Sequence, residues 1–336
     1  MSSAAKPQEA PYRSVLVTGA GGYVGRLLVE ALARDRRGVE RIVATDIRLP
    51  PEGERIGGVE YAVADVREPG LAALLRASGT DLVVHLAAIV TPGADTSREL
   101  EYAVDVIGTE NVLRACLEAG VRKIVYTSSG AAYGYYADNP EWIDENDALR
   151  GNPEFAYSDH KRLVEEMLAR WRKEHPELLQ LVFRPGTIFG ARARNQITAL
   201  FDGRFVLGLR GASTPFVLIW DEDVAGAILR GIHSGGVGTY NLAGDGAIGL
   251  EEMAGRLGKP FVRAPVSLVT AALWAGKRLG LTRYGPEQVG FLRYRPVLAN
   301  RRLKEEFGYV PRKTTREVFE EFVAARRGPQ RGPAAR

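Results

Sequence analysis

An α/β fold is predicted, with a doubly wound parallel sheet followed by a smaller, mostly helical C-terminal part. Three observations carry this expectation. Short apolar runs alternate with stretches of helical spacing. The runs are apolar throughout, as strands covered on both faces must be. A glycine cluster lies between the first run and the first helix. In chain order, residues 14–18 form a first strand, and 23–33 a helix with Val24, Leu27, Leu28 and Leu32 on one face. Strands are expected at 41–46, 60–65, 81–87, 123–128 and 179–184, with helices at 71–77, 99–119 and 155–174. Right-handed crossovers then wind the sheet in both directions, and ligands bind beyond the carboxyl ends of its strands. Beyond residue 184 the pattern loosens. Strands at 216–220 and 238–242 are expected to join the main sheet late, with helices at 223–233, 250–257, 266–279 and 315–325.

These elements divide the chain into a sheet domain over residues 14–185 and a C-terminal part over 186–325, which is expected to bind substrate. The ends, 1–13 and 326–336, read as disordered, the second as a solubilising Arg-rich tail. With 45% hydrophobic residues the 336-residue chain can bury a large core. A net charge of +4, spread along the chain, argues against a nucleic-acid partner. The lone cysteine, Cys116, excludes an internal disulfide and a cysteine-based metal site, and it sits in an apolar helical pattern as a core residue. No metal site is expected. No secretory signal and no run long enough to span a bilayer is visible, so the chain reads as cytoplasmic.

The glycine cluster has the spacing Gly19-x-x-Gly22-x-x-Gly25, with Tyr23 and Val24 opening the helix. Glycines so placed supply a tight turn, close approach of backbone to a pyrophosphate, and close packing of helix on strand. The helix N-terminus offers free N–H groups to the phosphates. Asp46 ends the second strand about 20 residues on, where the dinucleotide-binding (Rossmann) fold keeps its ribose-binding acid. A carboxylate there repels a 2′-phosphate, so NAD is expected over NADP, although Arg48 lies two residues away.

Tyr157 and Lys161 are four apart on a predicted helix and so share a face. An ammonium beside a phenol favours the phenolate and is expected to lower its pKa. Such a phenol can exchange a proton with a carbinol or ketone oxygen while a nicotinamide exchanges hydride. Ser129, just past the fifth strand, is placed to hold the substrate oxygen. A second Tyr-x-x-x-Lys copy, Tyr309 to Lys313, contains Pro311, which forbids a regular helix, and is read as structural.

The chain resembles the extended short-chain dehydrogenase/reductase family, also called the NAD-dependent epimerase/dehydratase family, over about residues 14–325. The likeness rests on Thr18-Gly-Ala-Gly-Gly-Tyr-Val-Gly25, Asp65-Val66, His85-Leu-Ala-Ala88, Gly108-Thr-Glu-Asn-Val-Leu113, Tyr126-Thr-Ser-Ser-Gly-Ala-Ala-Tyr-Gly134, Tyr157-Ser-Asp-His-Lys161, Arg184-Pro-Gly-Thr-Ile-Phe-Gly190, Asp223-Val-Ala225 and Phe307-Gly-Tyr-Val-Pro311. The resemblance implies that Asp65 contacts the adenine, that Val66, Ala87 and Ala88 belong to the cofactor site, and that Pro185 passes near the nicotinamide. It also implies a homodimer through the helices at 99–119 and 155–174. His85 is read as a buried polar strand residue and Asn111 as a local hydrogen-bonder.

Several positions depart from the family pattern. Thr187 stands where nucleotide-sugar members carry an asparagine that contacts the substrate, Phe216 lies near the usual diphosphate arginine, and Tyr294-Arg-Pro-Val297 replaces a late Arg-x-Gly-Asp-like segment. Gly130-Ala131 follow Ser129 where sugar 4,6-dehydratases place an Asp-Glu pair, and Asp105 replaces the asparagine of the hydrogen-bond relay behind Lys161. Arg293, Arg295, Arg301 and Arg302 read as a solvated basic surface. The expected function is therefore net dehydrogenation or reduction of a small non-nucleotide secondary alcohol or ketone, with the apolar helix at 266–275 walling its pocket. The alternative is a nucleotide-sugar epimerase with tightly bound NAD. A non-enzymatic NAD sensor ranks third, because Ser129, Tyr157 and Lys161 are all present.

Overall fold

A computed structural model describes residues 12–93, 96–212, 215–282 and 285–327. The first half consists of β1 (Ser14–Thr18), α1 (Tyr23–Arg34), β2 (Arg41–Asp46), β3 (Glu60–Val63), α2 (Leu71–Ser78), β4 (Leu82–His85), α3 (Arg98–Tyr102), α4 (Gly108–Ala119), β5 (Lys123–Thr127), α5 (Ala156–Glu174) and β6 (Leu179–Pro185). The second half consists of β7 (Thr187–Phe189), β8 (Val206–Leu209), β9 (Pro215–Phe216), β10 (Leu218–Trp220), α6 (Asp221–Ser234), β11 (Gly238–Leu242), β12 (Ile248–Gly249), α7 (Leu250–Arg256), β13 (Phe261–Ala264), α8 (Val266–Arg278), α9 (Glu287–Arg293), α10 (Arg301–Glu305) and α11 (Thr315–Arg327).

Seven parallel strands form the main sheet in the order β11-β6-β5-β4-β1-β2-β3. The chain starts at β1, winds outward to β3, then crosses back to β4 and winds the other way. Alternate residues of β1 face opposite layers. Val15 and Val17 pack with Leu28, Leu32 and Ile228, while Leu16 packs with Leu75, Val112 and Leu113. This is why the strand reads as one apolar run.

Three expectations are corrected. Of the late strands, only β11 joins the main sheet. β10 pairs with β7 in a separate ribbon, because the chain leaves the sheet after Pro185 and needs a partner outside it. The long helix expected at 99–119 is interrupted by a π-helical turn at Ala103–Ile107. The segments expected to be disordered are partly ordered. Tyr12 is buried under the Arg122 and Lys123 cations, the Arg13 N–H donates to Asp81 at 2.8 Å, and Arg326 and Arg327 complete α11. The rest of both expected tails, 1–11 and 328–336, lies outside the described residues. No helix among the described residues is long and apolar enough to cross a membrane.

A third core, around Phe189, Phe201, Phe216, Phe319 and Phe322, holds the C-terminal part together and carries α11 against β10. Between this part and the strand ends of the main sheet lies one large cavity.

Candidate active site

The cavity has a volume of about 590 Å³ and reaches from the glycine loop to the C-terminal part. Gly19, Gly22, Tyr23, Val24, Gly25, Ala88, Ser129, Tyr157, Lys161, Pro185 and Thr187 all line it. The topology explains the convergence: β1, β4, β5 and β6 are parallel neighbours, so their carboxyl ends open on one side. Asp46, Asp65, Val66 and Ala87 lie outside its lining. Asp46 accepts the Gly21 N–H at 3.0 Å and so touches the glycine loop. The Asp65 carboxylate is held by the Arg67 side chain, which keeps it below the ordinary carboxylate range. Buried Val66 packs against Gly108 of α4.

The glycine loop has the backbone its spacing demands. Gly19 sits at φ +67°, and a Cβ there would stand 2.6 Å from the Ala87 nitrogen. A Cβ on Gly25 would meet the Gly19 carbonyl at 2.2 Å, so any side chain would push α1 off β1. The Tyr23 hydroxyl donates to Asp221 at the start of α6.

At the centre, the half-buried Tyr157 faces the cavity with Ser129, whose hydroxyl accepts the Ala131 N–H at 3.1 Å. Lys161 Nζ donates to the Tyr126 hydroxyl at 2.9 Å and to the Thr127 carbonyl at 3.0 Å, and lies 5.8 Å from the centroid of the Tyr157 ring. The expected acidification of Tyr157 is not what the structure gives. Burial pushes its phenol well above the ordinary tyrosine value, against a smaller lowering effect of the neighbouring Ser129 hydroxyl. Burial likewise lowers Lys161, with Asp105 and Glu165 opposing it. The ammonium is committed to Tyr126 and Thr127, so desolvation decides the state of the phenol.

Behind Ser129 lies a buried ionic network. Arg184 of β6 grips Glu165 of α5 with its Nε 2.9 Å from Oε1 and its Nη2 2.6 Å from Oε2. Glu165 also accepts from Ser128 at 2.5 Å, and Arg184 Nη1 donates to Tyr133 at 2.7 Å. The network ties β5, α5 and β6 together beneath the site. Asp105, turned inward by the π-helical turn, accepts the Ile89 N–H at 2.9 Å and faces His160 Nδ1 at 3.5 Å. His85 is buried and hydrogen-bonded to Thr18 at 2.7 Å and to Thr109 at 3.0 Å, and burial holds its pKa at about 3. It is a neutral core residue, as its place in the strand suggested. Asn111 donates to the Val66 and Arg67 carbonyls, and Tyr309 donates to Asp223 away from the cavity.

The far end was read only in part from sequence, which placed Thr187 at the substrate. Arg295, expected on a solvated surface, lies instead in the cavity wall, with its guanidinium 4.6 Å from the Phe216 centroid and 4.5 Å from that of Phe291. Its Nη2 donates to Thr187 at 2.9 Å, and its buried Nη1 has no hydrogen-bond partner among the described residues. Arg301 and Arg302 do lie on the surface, paired with Glu305 and Glu306. The helix expected to wall the pocket does not: no residue of α8 lines the cavity, and its place is taken by Phe291 of α9 with Tyr135, Phe155 and Leu298.

A family model described as the NAD dependent epimerase/dehydratase family matches residues 15–212, more than half of the chain. The chain belongs to this family. Family membership accounts for the glycine loop and the Tyr157–Lys161 pair together. Among characterised and uncharacterised relatives, a protein of Mycobacterium tuberculosis (strain ATCC 25618 / H37Rv) of undescribed activity is 28% identical, over 93% of this chain and 84% of that one. A 3beta-hydroxysteroid-dehydrogenase/decarboxylase (isoform 2) of Arabidopsis thaliana is 32% identical, over 73% of this chain and 45% of that one. Among solved structures, UDP-glucose 4-epimerase of Thermus thermophilus in complex with NAD superposes with a TM-score of 0.70 at 25% identity, covering 94% and 99% of the two chains. The family's dinucleotide fits the residues present: the cradle at Gly19 and Gly25 has no room for a Cβ, and the Asp46 carboxylate stands at its rim.

Proposed function

We propose that this family member is a net oxidoreductase acting on one secondary alcohol or ketone carbon of a non-nucleotide substrate, with NAD as cofactor. The observation that carries the proposal is the lining of the cavity beyond Tyr157. Ile89, Val90, Tyr135, Phe155, Ile197, Val217, Phe291 and Leu298 make it mostly apolar and aromatic, and among the described residues no Asp or Glu lines it. Asn195, a polar side chain in that wall, spends its amide on the Ile188 carbonyl and on the Ile197 and Thr198 N–H groups of its own loop. Thr91, Arg194, Gln196 and Arg295 also line the cavity, and the apolar and aromatic residues between them favour a carbon skeleton over a chain of sugar hydroxyls.

In this reading Gly19, Gly22, Tyr23, Val24 and Gly25 hold the pyrophosphate, Asp46 the adenosine ribose, Asp65 and Val66 the adenine edge, and Ala87, Ala88 and Pro185 flank the nicotinamide. When bound, the nicotinamide supplies the hydride acceptor or donor. Ser129 and Thr187 orient the substrate oxygen, and Tyr157 gives it a proton as the ketone is reduced, or takes one as the carbinol is oxidised. A phenol at or above its ordinary value is protonated at neutral pH, so the resting site holds the proton that reduction consumes. Lys161, fixed by Tyr126 and Thr127, provides the positive charge that stabilises the phenolate left behind.

Arg295 supports a second reading, a nucleotide-sugar epimerase, because its unpaired Nη1 in the cavity wall is suited to an anionic group. The deciding experiment incubates the protein with NAD and either apolar secondary alcohols or UDP-sugars. NADH absorbance rising only with the alcohols supports the proposal. Epimerised sugar with no net NADH overturns it in favour of the second reading.

A further inference from the structure

Helix α8 is a long apolar segment that the cavity does not use. Only Val269 among its residues is buried, against Val289 and Leu292 of α9. The outer face is apolar and open: Leu268 is 62% exposed and Trp274 58%, and just beyond the helix Leu279 is 70% and Leu281 79% exposed. Ala271 and Ala272 are exposed on the same outer side. An isolated surface leucine is ordinary, but four large apolar side chains within 14 residues form a patch that water disfavours.

Charge points to one occupant. Residues 264–286 contain no Asp or Glu, while Lys277, Arg278 and Arg283 are cationic. Exposed Lys277 and Arg278 end the helix, and the Arg278 guanidinium lies 5.7 Å from the Trp274 ring centroid. Leucines and a tryptophan on the outer face, cations at the end and no carboxylate match an anionic bilayer surface, where the apolar side chains enter the headgroup boundary and the cations meet lipid phosphates.

We propose that α8 and the Leu279–Leu281 segment dock the protein peripherally onto anionic membrane surfaces. Docking there sets the bilayer one helix away from the cavity, since α9, which α8 packs against, carries Phe291 into the cavity wall. The proposal is independent of which reaction the site performs.

The test is co-sedimentation of the full chain with vesicles of phosphatidylcholine alone or mixed equally with phosphatidylglycerol. Binding to the mixed vesicles, weakened by salt, is expected, with a blue shift of Trp274 fluorescence that is absent in Trp274→Ala. Leu268→Glu/Trp274→Glu should abolish binding while leaving the melting temperature and NAD binding unchanged. If that pair lowers the melting temperature, Leu268→Ala/Trp274→Ala replaces it, with at least a tenfold loss expected. Arg278→Ala should weaken binding by about fivefold. No binding to mixed vesicles, or binding that both double variants retain, overturns the proposal. So does a solution mass that falls from dimer to monomer in Leu268→Glu/Trp274→Glu while vesicle binding persists, because the face would then bind a second copy.

Discussion

At one end of the cavity Tyr157 and Lys161 come from a single helix, one turn apart, and Ser129 from the end of the adjacent strand. At the other end Arg295 is held by Thr187, Phe216 and Phe291, which come from three separate segments of the C-terminal part. The first end is written in local spacing and, in the proposed function, serves the proton and hydride chemistry. The second is assembled by long-range packing and, in the same proposal, faces what is particular to the substrate. The comparison teaches that the reaction type and its specificity are encoded on different scales of the chain.

Breaking the first end should have the largest effect. Tyr157→Phe removes the proton carrier without changing the ring, so kcat should fall by about 10³-fold or more, with the melting temperature and NAD binding retained. A steady-state assay beside a thermal melt checks this. Loss of NAD binding would show that the hydroxyl holds the cofactor rather than only carrying the proton.

Next comes the support beneath that end. Arg184→Met leaves Glu165 buried without its guanidinium and should destabilise the fold by about 3–5 kcal/mol, read by urea unfolding. Arg184→Met/Glu165→Leu should recover part of that loss, since an apolar pair leaves no buried charge behind.

The second end is probed by Arg295→Met. If an anionic group of the substrate sits there, KM should rise by about 10- to 100-fold with kcat nearly unchanged, the loss of one charge-assisted hydrogen bond. For a neutral alcohol KM should shift little. The same variant therefore sharpens the choice between the two functional readings.

Last comes a pH dependence, which is zero at neutral pH and grows on acidification. His85 titrates at about 3 in the folded chain and at its ordinary 6.5 when unfolded. Above 6.5 both states are neutral there and His85 adds no slope. Below it the unfolded chain takes up a proton that the folded one refuses, so stability falls with pH by about 1.4 kcal/mol per unit until about 3. His85→Asn should flatten that part of the stability–pH curve, measured by denaturant titration between pH 4 and 7.

Much of this molecule was legible in its sequence. Apolar runs marked six of the seven strands of the main sheet to within a residue or two of their ends, and the seventh, β11, was placed as a late strand. The glycine loop, Ser129, Tyr157 and Lys161 were identified by spacing and lie together in the cavity. These features depend on contacts one helical turn or one strand–helix junction apart, so local pattern is enough to determine them. Tertiary structure alone decided the rest. Pairing took β10 out of the main sheet, packing turned Arg295 from surface to cavity wall, and α8 received its partner on one side only. Desolvation reversed the expected shift of Tyr157. Burial is a property of everything that surrounds a group, and no spacing along the chain contains it.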